Sequence, residues 1–462
     1  MGDDDHAMQS LMGFSSFGRP RKRLRRGGGG SSGSAPLHHV VPGTAVEPSG
    51  DELPASCLRI SPQGVASLLQ PSHGQKLLSR RSSATESGAY ADDDGAAVKW
   101  SLPPASMELL ARLDATKARF EHLESAAFAH ARRRSNPFEP LGRHRFINRS
   151  AMKMANLDFL FQWTQHSRED EPFVFADVCG GPGGFSEYLL WRLTGASDTQ
   201  ACNATAQQQR TAVGFGITLK GAPWCDWKVT NDDKDSAVFH ICDGADGTGD
   251  LYRLDNIHSF RDTLREKCPA GAHLVVADGG FPDARDQSCQ EVLMTRLVLA
   301  ETLTMFHVLR VGGRFVCKTF ELSSPLMLQL VWLLHNCFSE IAIVKPVTSR
   351  PASSERYIVA QTLLADLPLD VIQCDLARLV DAFERKDPRN ESLTCSLEAF
   401  PTMCELSTCL AFVAQASDRH AKQQIDACKK IITLATPSSS SDRSSTWEPR
   451  IDRDAYYRTW KL

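Results

Sequence analysis

The segment Asp177-Val-Cys-Gly-Gly-Pro-Gly-Gly-Phe-Ser186 constrains the fold more than any other part of the chain. It ends the apolar run Phe173-Val-Phe-Ala-Asp-Val178 and leads into a helical pattern over residues 185–193. A strand, a glycine loop and a helix in this order make the ligand-binding corner of an open α/β sheet. There the backbone comes close to a ligand and the helix offers free N–H groups. The glycines do not follow GxGxxG, and the second strand, Ala212-Val-Gly-Phe-Gly-Ile-Thr-Leu219, ends without the acid that grips a dinucleotide's ribose. A nicotinamide dinucleotide is therefore disfavoured. Asp177 ahead of such a loop suits a ligand with an amino-acid end, whose ammonium needs a carboxylate. A structural turn is the competing reading of the loop by itself.

The alternation continues downstream. His273-Leu-Val-Val-Ala-Asp278 reads as a strand and residues 290–309 as a long helix that Gly312-Gly313 ends. Arg314-Phe-Val-Cys-Lys-Thr-Phe320 reads as the next strand, followed by a helix over 326–338 and strands over 341–347 and 357–363. Upstream, apolar residues recur at helical spacing from 107 to 131 and again over 156–165. The pattern predicts an α/β fold, a mostly parallel sheet with helices on both faces.

Residues 1–104, with Gly27-Gly28-Gly29-Gly30 and Asp92-Asp93-Asp94, lack periodic apolar pattern and are expected to be a disordered tail. Residues 105–365 make the expected α/β domain, 366–435 a helical extension with helices over 371–383 and 420–434, and 436–462 a flexible tail. The net charge of −3 advertises no global basic field, so any nucleic-acid contact would have to be local. The densest basic run, Arg19-Pro-Arg-Lys-Arg-Leu-Arg-Arg26, is expected to direct nuclear entry. The 14 cysteines form no CxxC pair or zinc spacing, which points to a reducing compartment and no metal. No secretory signal or bilayer-length apolar run is present in the sequence, so a soluble protein is expected. Cys242-Asp-Gly-Ala-Asp-Gly-Thr-Gly-Asp250 has calcium-loop features, but Leu254 stands where the closing glutamate belongs. A loop contacting a cofactor is the better reading.

Four ionisable residues sit at comparable places: Lys153, Asp278 at a strand end, Lys318 within a strand, and Glu355 in Thr348-Ser-Arg-Pro-Ala-Ser-Ser-Glu-Arg-Tyr357. Charges in or beside apolar strands are costly unless paired. Independent surface charges or structural ion pairs would be the bland reading of any one of them. In this order they resemble the Lys-Asp-Lys-Glu tetrad of the FtsJ-like ribose 2′-O-methyltransferases. Within that family, Phe175-Ala-Asp-Val-Cys-Gly-Gly-Pro-Gly-Gly-Phe-Ser-Glu-Tyr188, Ala277-Asp-Gly-Gly-Phe281, Cys317-Lys-Thr-Phe320 and Lys345-Pro-Val-Thr-Ser-Arg-Pro351 are similar to the eukaryotic enzymes that methylate the first transcribed nucleotide of capped mRNA.

The resemblance implies a Rossmann-like S-adenosylmethionine-dependent methyltransferase fold and a 2′-O-ribose methyltransferase of N7-methylguanosine-capped mRNA. It assigns S-adenosylmethionine to Cys179, Gly180, Gly181, Pro182, Gly183, Gly184, Phe185, Asp250 and Leu251. It assigns cap and RNA contacts to Lys117, Ala118, Arg119, Phe120, Glu121, Arg132, Ser288, Cys289, Gln290 and Ser353. Ser353 stands where the family carries asparagine, and Gly180 where it carries alanine. The implied partners are a capped mRNA 5′ end and the transcription or capping machinery, with no membrane. Phe120 is the expected stacking surface for the positively charged guanine. Lys318 is the expected base or activating group, supported by the other three, its ordinary pKa of about 10.4 to be lowered by burial and by Lys153. A ribosomal or transfer RNA ribose methyltransferase and a non-catalytic RNA-binding module remain alternatives.

Overall fold

The computed structural model describes residues 57–60, 66–68, 100–165, 171–194, 211–221, 225–229, 237–281, 290–384, 393, 406–436 and 451–462. The basic run at 19–26 and Ser288 and Cys289 lie outside the described residues. Nine strands are described: β1 Cys57–Ile60, β2 Ala66–Leu68, β3 Phe173–Val178, β4 Ala212–Ile217, β5 Ala237–Cys242, β6 Ala272–Ala277, β7 Leu309–Thr319, β8 Phe338–Val344 and β9 Arg356–Leu363. They form one sheet in the order β2-β1-β8-β9-β7-β6-β3-β4-β5. The helices are α1 Pro104–Ala118, α2 Ser125–Ser135, α3 Ser150–Phe161, α4 Gly184–Thr194, α5 Leu254–Lys267, α6 Gln290–Val308, α7 Pro325–Cys337, α8 Leu369–Glu384, α9 Leu406–Ala435 and α10 Arg453–Trp460.

Strands β3 to β7 pair in parallel. β9 inserts antiparallel between β7 and β8, so β8 runs with the parallel set. Alternation along β3 shows how the sheet divides two cores. Phe173 and Phe175 point into a core with α3, α4 and α10. Val174, Ala176 and Val178 point into a second, larger core with α1 and α5 to α9. Strands buried on both faces read as the continuous apolar runs seen in the sequence.

Several expectations need correction. Residues 57–60 and 66–68 belong to a segment expected to be disordered, yet β1 pairs with β8 and β2 with β1. An otherwise open sheet edge offers unpaired N–H and C=O groups, and a short segment of weak pattern suffices to cover them. The helix expected over 107–131 is broken by a 3₁₀ turn, Arg119–His122, and restarts where the Glu124 carboxylate accepts the N–H groups of Ala126 (2.9 Å) and Ala127 (2.7 Å). α3 begins at Ser150, where Asn148 Oδ1 accepts the Ser150 N–H at 2.9 Å, so Lys153 lies on a helix. Gly312 and Gly313 do not end α6. They lie inside β7, in a bulge between the Leu309–Ala272 and Arg314–Leu274 pairs, with Gly312 at φ +78°. β5 and α5 were not anticipated. Lastly, residues 453–460, expected in a flexible tail, form α10 with Tyr456 and Trp460 buried in the α3–α4 core.

Candidate active site

The carboxyl ends of the parallel strands gather every element of the site. The glycine loop turns between β3 and α4, with Cys179 at φ +56° and Gly183 at φ +104°. Loop and neighbours are tightly fitted. A Cβ on Gly181 would run into the Cys225 carbonyl oxygen and come within 2.9 Å of Thr218 Cγ2. The loop containing Asp250 reaches the same place, because a Cβ on Gly249 would strike the Thr218 carbonyl. Here Asp250 is half-buried and Leu251 buried. Both loops named by the resemblance thus meet around Thr218.

Asp177 was expected to meet an ammonium. It is fully buried, and its Oδ2 accepts the Ser186 N–H (3.2 Å) and hydroxyl (2.6 Å), which fastens the start of α4. Burial pushes its pKa up to about 7, against the Ser186 hydrogen bonds. Its Oδ1, under Gly180, has no hydrogen-bond partner among the described residues. One unspent carboxylate oxygen beneath the loop and a half-buried carboxylate on the next loop suit a cationic ligand.

Two glycines after β6 tie this loop to the four charges. A Cβ on Gly279 would lie 2.9 Å from Cys179 Cβ, and one on Gly280 would lie 2.8 Å from Lys318 Nζ. Lys153 from α3, Asp278 after β6, Lys318 from β7 and Glu355 before β9 then close into one network. Lys318 Nζ lies 3.2 Å from Asp278 Oδ1 and donates to the Asp278 carbonyl at 2.8 Å. Lys153 Nζ lies 3.6 Å from Asp278 Oδ2 and 2.8 Å from Glu355 Oε2. Two lysines and two carboxylates balance in charge within a mostly buried site, as the cost of burying ions demands. Burial by itself would raise the Asp278 pKa, but Lys153 and Lys318 outweigh it and hold it at about 2. Glu355 is likewise held low, its burial outweighed chiefly by Lys153.

Sequence reasoning missed the groups that orient these four. Tyr357 donates its hydroxyl to Asp278 Oδ1 at 2.7 Å, and its ring lies 5.8 Å from Lys153 Nζ. Ser349 donates to Glu355 Oε1 at 2.8 Å. Tyr357 pairs across the sheet with Lys318, a register that no local pattern announces. On the other face of β7, Glu301 from α6 accepts the Cys317 thiol at 3.4 Å. Burial pushes its carboxyl up to about 8, against the pull of Lys318.

The residues assigned to RNA divide into two groups. Phe120 is half-buried with its ring 4.9 Å from Phe128, and the Arg132 guanidinium lies 5.3 Å from the Phe128 ring centroid. Ala118, Arg119 and Glu121 are exposed beside them. Lys117 instead turns inward, donating to Ser354 Oγ (2.6 Å) and pairing with Glu321 (3.2 Å). Gln290 is buried at the start of α6. Ser353 faces its own turn, its hydroxyl accepting the Glu355 N–H at 3.2 Å.

Residues 146–363 match the family model of FtsJ-like methyltransferases. Curated relatives named cap-specific mRNA (nucleoside-2′-O-)-methyltransferase 1 are similar over a longer stretch. The Xenopus laevis protein is 39% identical over 274 residues, covering 55% of this chain and 30% of the relative. The Homo sapiens protein is 34% identical over 359 residues, covering 72% of this chain and 40% of the relative. The Dictyostelium discoideum protein is 36% identical over 275 residues, covering 58% and 36%. The chain thus spans well under half the length of these relatives.

Proposed function

Residues 146–363 are an FtsJ-like methyltransferase domain, and on that premise we propose that the chain methylates the ribose 2′-hydroxyl of the first transcribed nucleotide of N7-methylguanosine-capped mRNA. The observation that carries this reading is the closed Lys153–Glu355 and Asp278–Lys318 network set against the glycine loop. Bound S-adenosylmethionine supplies an electrophilic methyl group, and Cys179 to Phe185 together with Asp250 and Leu251 are the residues that would hold it. A ribose hydroxyl is a poor nucleophile and needs alignment and a proton acceptor. Lys318 is the assigned base or activating group. Asp278 fixes its Nζ, Tyr357 fixes Asp278, and Glu355 holds Lys153 on the opposite side. The network holds both lysines in one geometry, which a step of this kind requires.

For the cap, Phe120 is the stacking ring, and Arg132 lies near it through Phe128 as a phosphate contact. Lys117 has a different part, holding the Ser354 hydroxyl and Glu321 behind the site. The names of the relatives support capped mRNA as substrate. The Arg19–Arg26 run supports a nuclear site of action.

The test is methyl transfer from labelled S-adenosylmethionine to capped and uncapped transcripts, with the modified nucleotide identified. Transfer to the first nucleotide of capped RNA alone is expected. Equal use of uncapped RNA, or an internal methyl, would move the substrate to ribosomal or transfer RNA. Phe120→Ala should raise KM for capped RNA roughly fivefold or more, from stacking of ~1–3 kcal/mol per base, and spare cofactor affinity.

A further inference from the structure

Lys345 follows β8 and opens the Lys345-Pro-Val-Thr-Ser-Arg-Pro351 segment, in which Ser349 already orients Glu355 but Lys345 itself has so far received no part. Its ammonium makes no ion pair with a carboxylate among the described residues. Its Nζ donates instead to two backbone carbonyls, those of Ser353 (2.6 Å) and Glu355 (2.8 Å). Burial pushes its pKa down to about 7, and the cations Arg356, Lys153 and Lys117 act in the same direction against Glu355. A buried lysine with only carbonyl partners is a costly way to fill space, since an apolar side chain of similar volume would pack there without a charge to solvate. Even as a neutral amine it keeps two N–H groups, enough for both bonds.

What those bonds grip is the turn that presents Glu355. The Glu355 N–H is fixed to Ser353 Oγ at 3.2 Å, and its Oε1 receives the Ser349 hydroxyl at 2.8 Å. Only Oε2 is then left to meet Lys153, at 2.8 Å. Lys345 clamps the first and last carbonyls of this three-residue stretch from beneath. Freed of that clamp, the turn could pivot and the carboxylate would lose its aim at Lys153.

We propose that Lys345 is a positioning residue for methyl transfer, pinning the Ser353–Glu355 turn so that Glu355 holds Lys153 in register. This rests on the proposed ribose methyl transfer at the same site. The fitting experiment is a double-mutant cycle of Lys345→Met and Glu355→Gln in the full chain, with kcat, KM for RNA and S-adenosylmethionine affinity measured for each variant. Lys345→Met keeps the side-chain length and removes both donors. It is expected to lower kcat ten- to a hundredfold, with cofactor affinity and KM within about threefold of wild type. Because Lys345 acts through Glu355, adding it to Glu355→Gln should cost less than threefold more. Fully additive losses, or an unchanged kcat per cofactor-binding site with fewer such sites, would mark a merely structural lysine and overturn the proposal. If Lys345→Met does not fold, Lys345→Arg and Lys345→Gln decide. The arginine variant should retain at least a third of kcat and the shorter glutamine less than a tenth, and equal values overturn it. The wild-type chain separates the two claims. Its failure to methylate any RNA removes the proposed function, whereas the cycle is read as ratios on whichever RNA is methylated.

Discussion

Asp278→Asn removes one charge from between two ammonium groups while leaving the shape of the side chain almost unchanged. The native carboxylate lies 3.2 Å from Lys318 Nζ and 3.6 Å from Lys153 Nζ and accepts the Tyr357 hydroxyl at 2.7 Å. Its pKa falls from 3.8 to about 2 although burial opposes the change. At 1.36 kcal/mol per unit this depression amounts to about 2 kcal/mol of folding stability at neutral pH. Asparagine keeps one acceptor oxygen but turns an amide N–H₂ toward an ammonium, so one partner of the carboxylate is left unsatisfied. A loss of about 2–4 kcal/mol is expected. The folded pKa lies below the unfolded one. The stabilisation is therefore fully present above pH 3.8 and disappears as pH falls toward 2. Urea unfolding of wild type and variant at pH 7, 5 and 3 measures it. The gap should be widest at pH 7 and 5 and narrow at pH 3, and kcat should fall at least a hundredfold with cofactor affinity retained. A gap below about 0.5 kcal/mol at pH 7, or one that stays constant on acidification, would refute the claim that Asp278 is held by the two lysines.

Gly181→Ala places a methyl against the Cys225 carbonyl and Thr218; calorimetry should show S-adenosylmethionine affinity reduced tenfold or more with the fold intact, and unaltered affinity would sink the loop assignment. Glu301 has its folded pKa raised from 4.5 to about 8, so the wild type loses stability as pH rises between those values. Glu301→Gln should lack that slope and gain on wild type from pH 5 to 8, with a ceiling of about 5 kcal/mol; parallel pH profiles in denaturant titrations would show the carboxyl to be ionised already. Trp460→Ala empties a buried site between α10 and α3, the helix that carries Lys153. It should cost about 3–5 kcal/mol in urea unfolding, and a loss under 1 kcal/mol would mean that α10 is not part of the core.

The sheet's centre and the site's location were legible because they rest on local pattern. Apolar runs at 173–178, 212–217 and 272–277 are mostly buried on both faces and so carry few polar residues, Asp177 and His273 among them. The glycine loop is marked by residues that alone tolerate the close approaches at Gly181 and Gly183. Asp278 and Lys318 stand out at the end of and within buried strands because burial without partners is costly, whereas Lys153 and Glu355 are singled out by the resemblance. Register and edge pairing lie beyond local pattern. Nothing near residue 57 announces that β1 completes the edge at β8, and nothing near Trp460 announces that it fills a hole beside α3. The partners of a charge are also decided across the chain. Nothing local tells Lys117 from Lys345, yet one is taken by Ser354 and Glu321 and the other by two carbonyls of the Glu355 turn. Sequence by itself therefore marked the central strands of the sheet and the loop at their carboxyl ends. The tertiary structure decided which charges meet, because the energy of a charge is set by the groups within a few ångströms of it, and for Lys117 and Lys153 these arrive from more than 200 residues away.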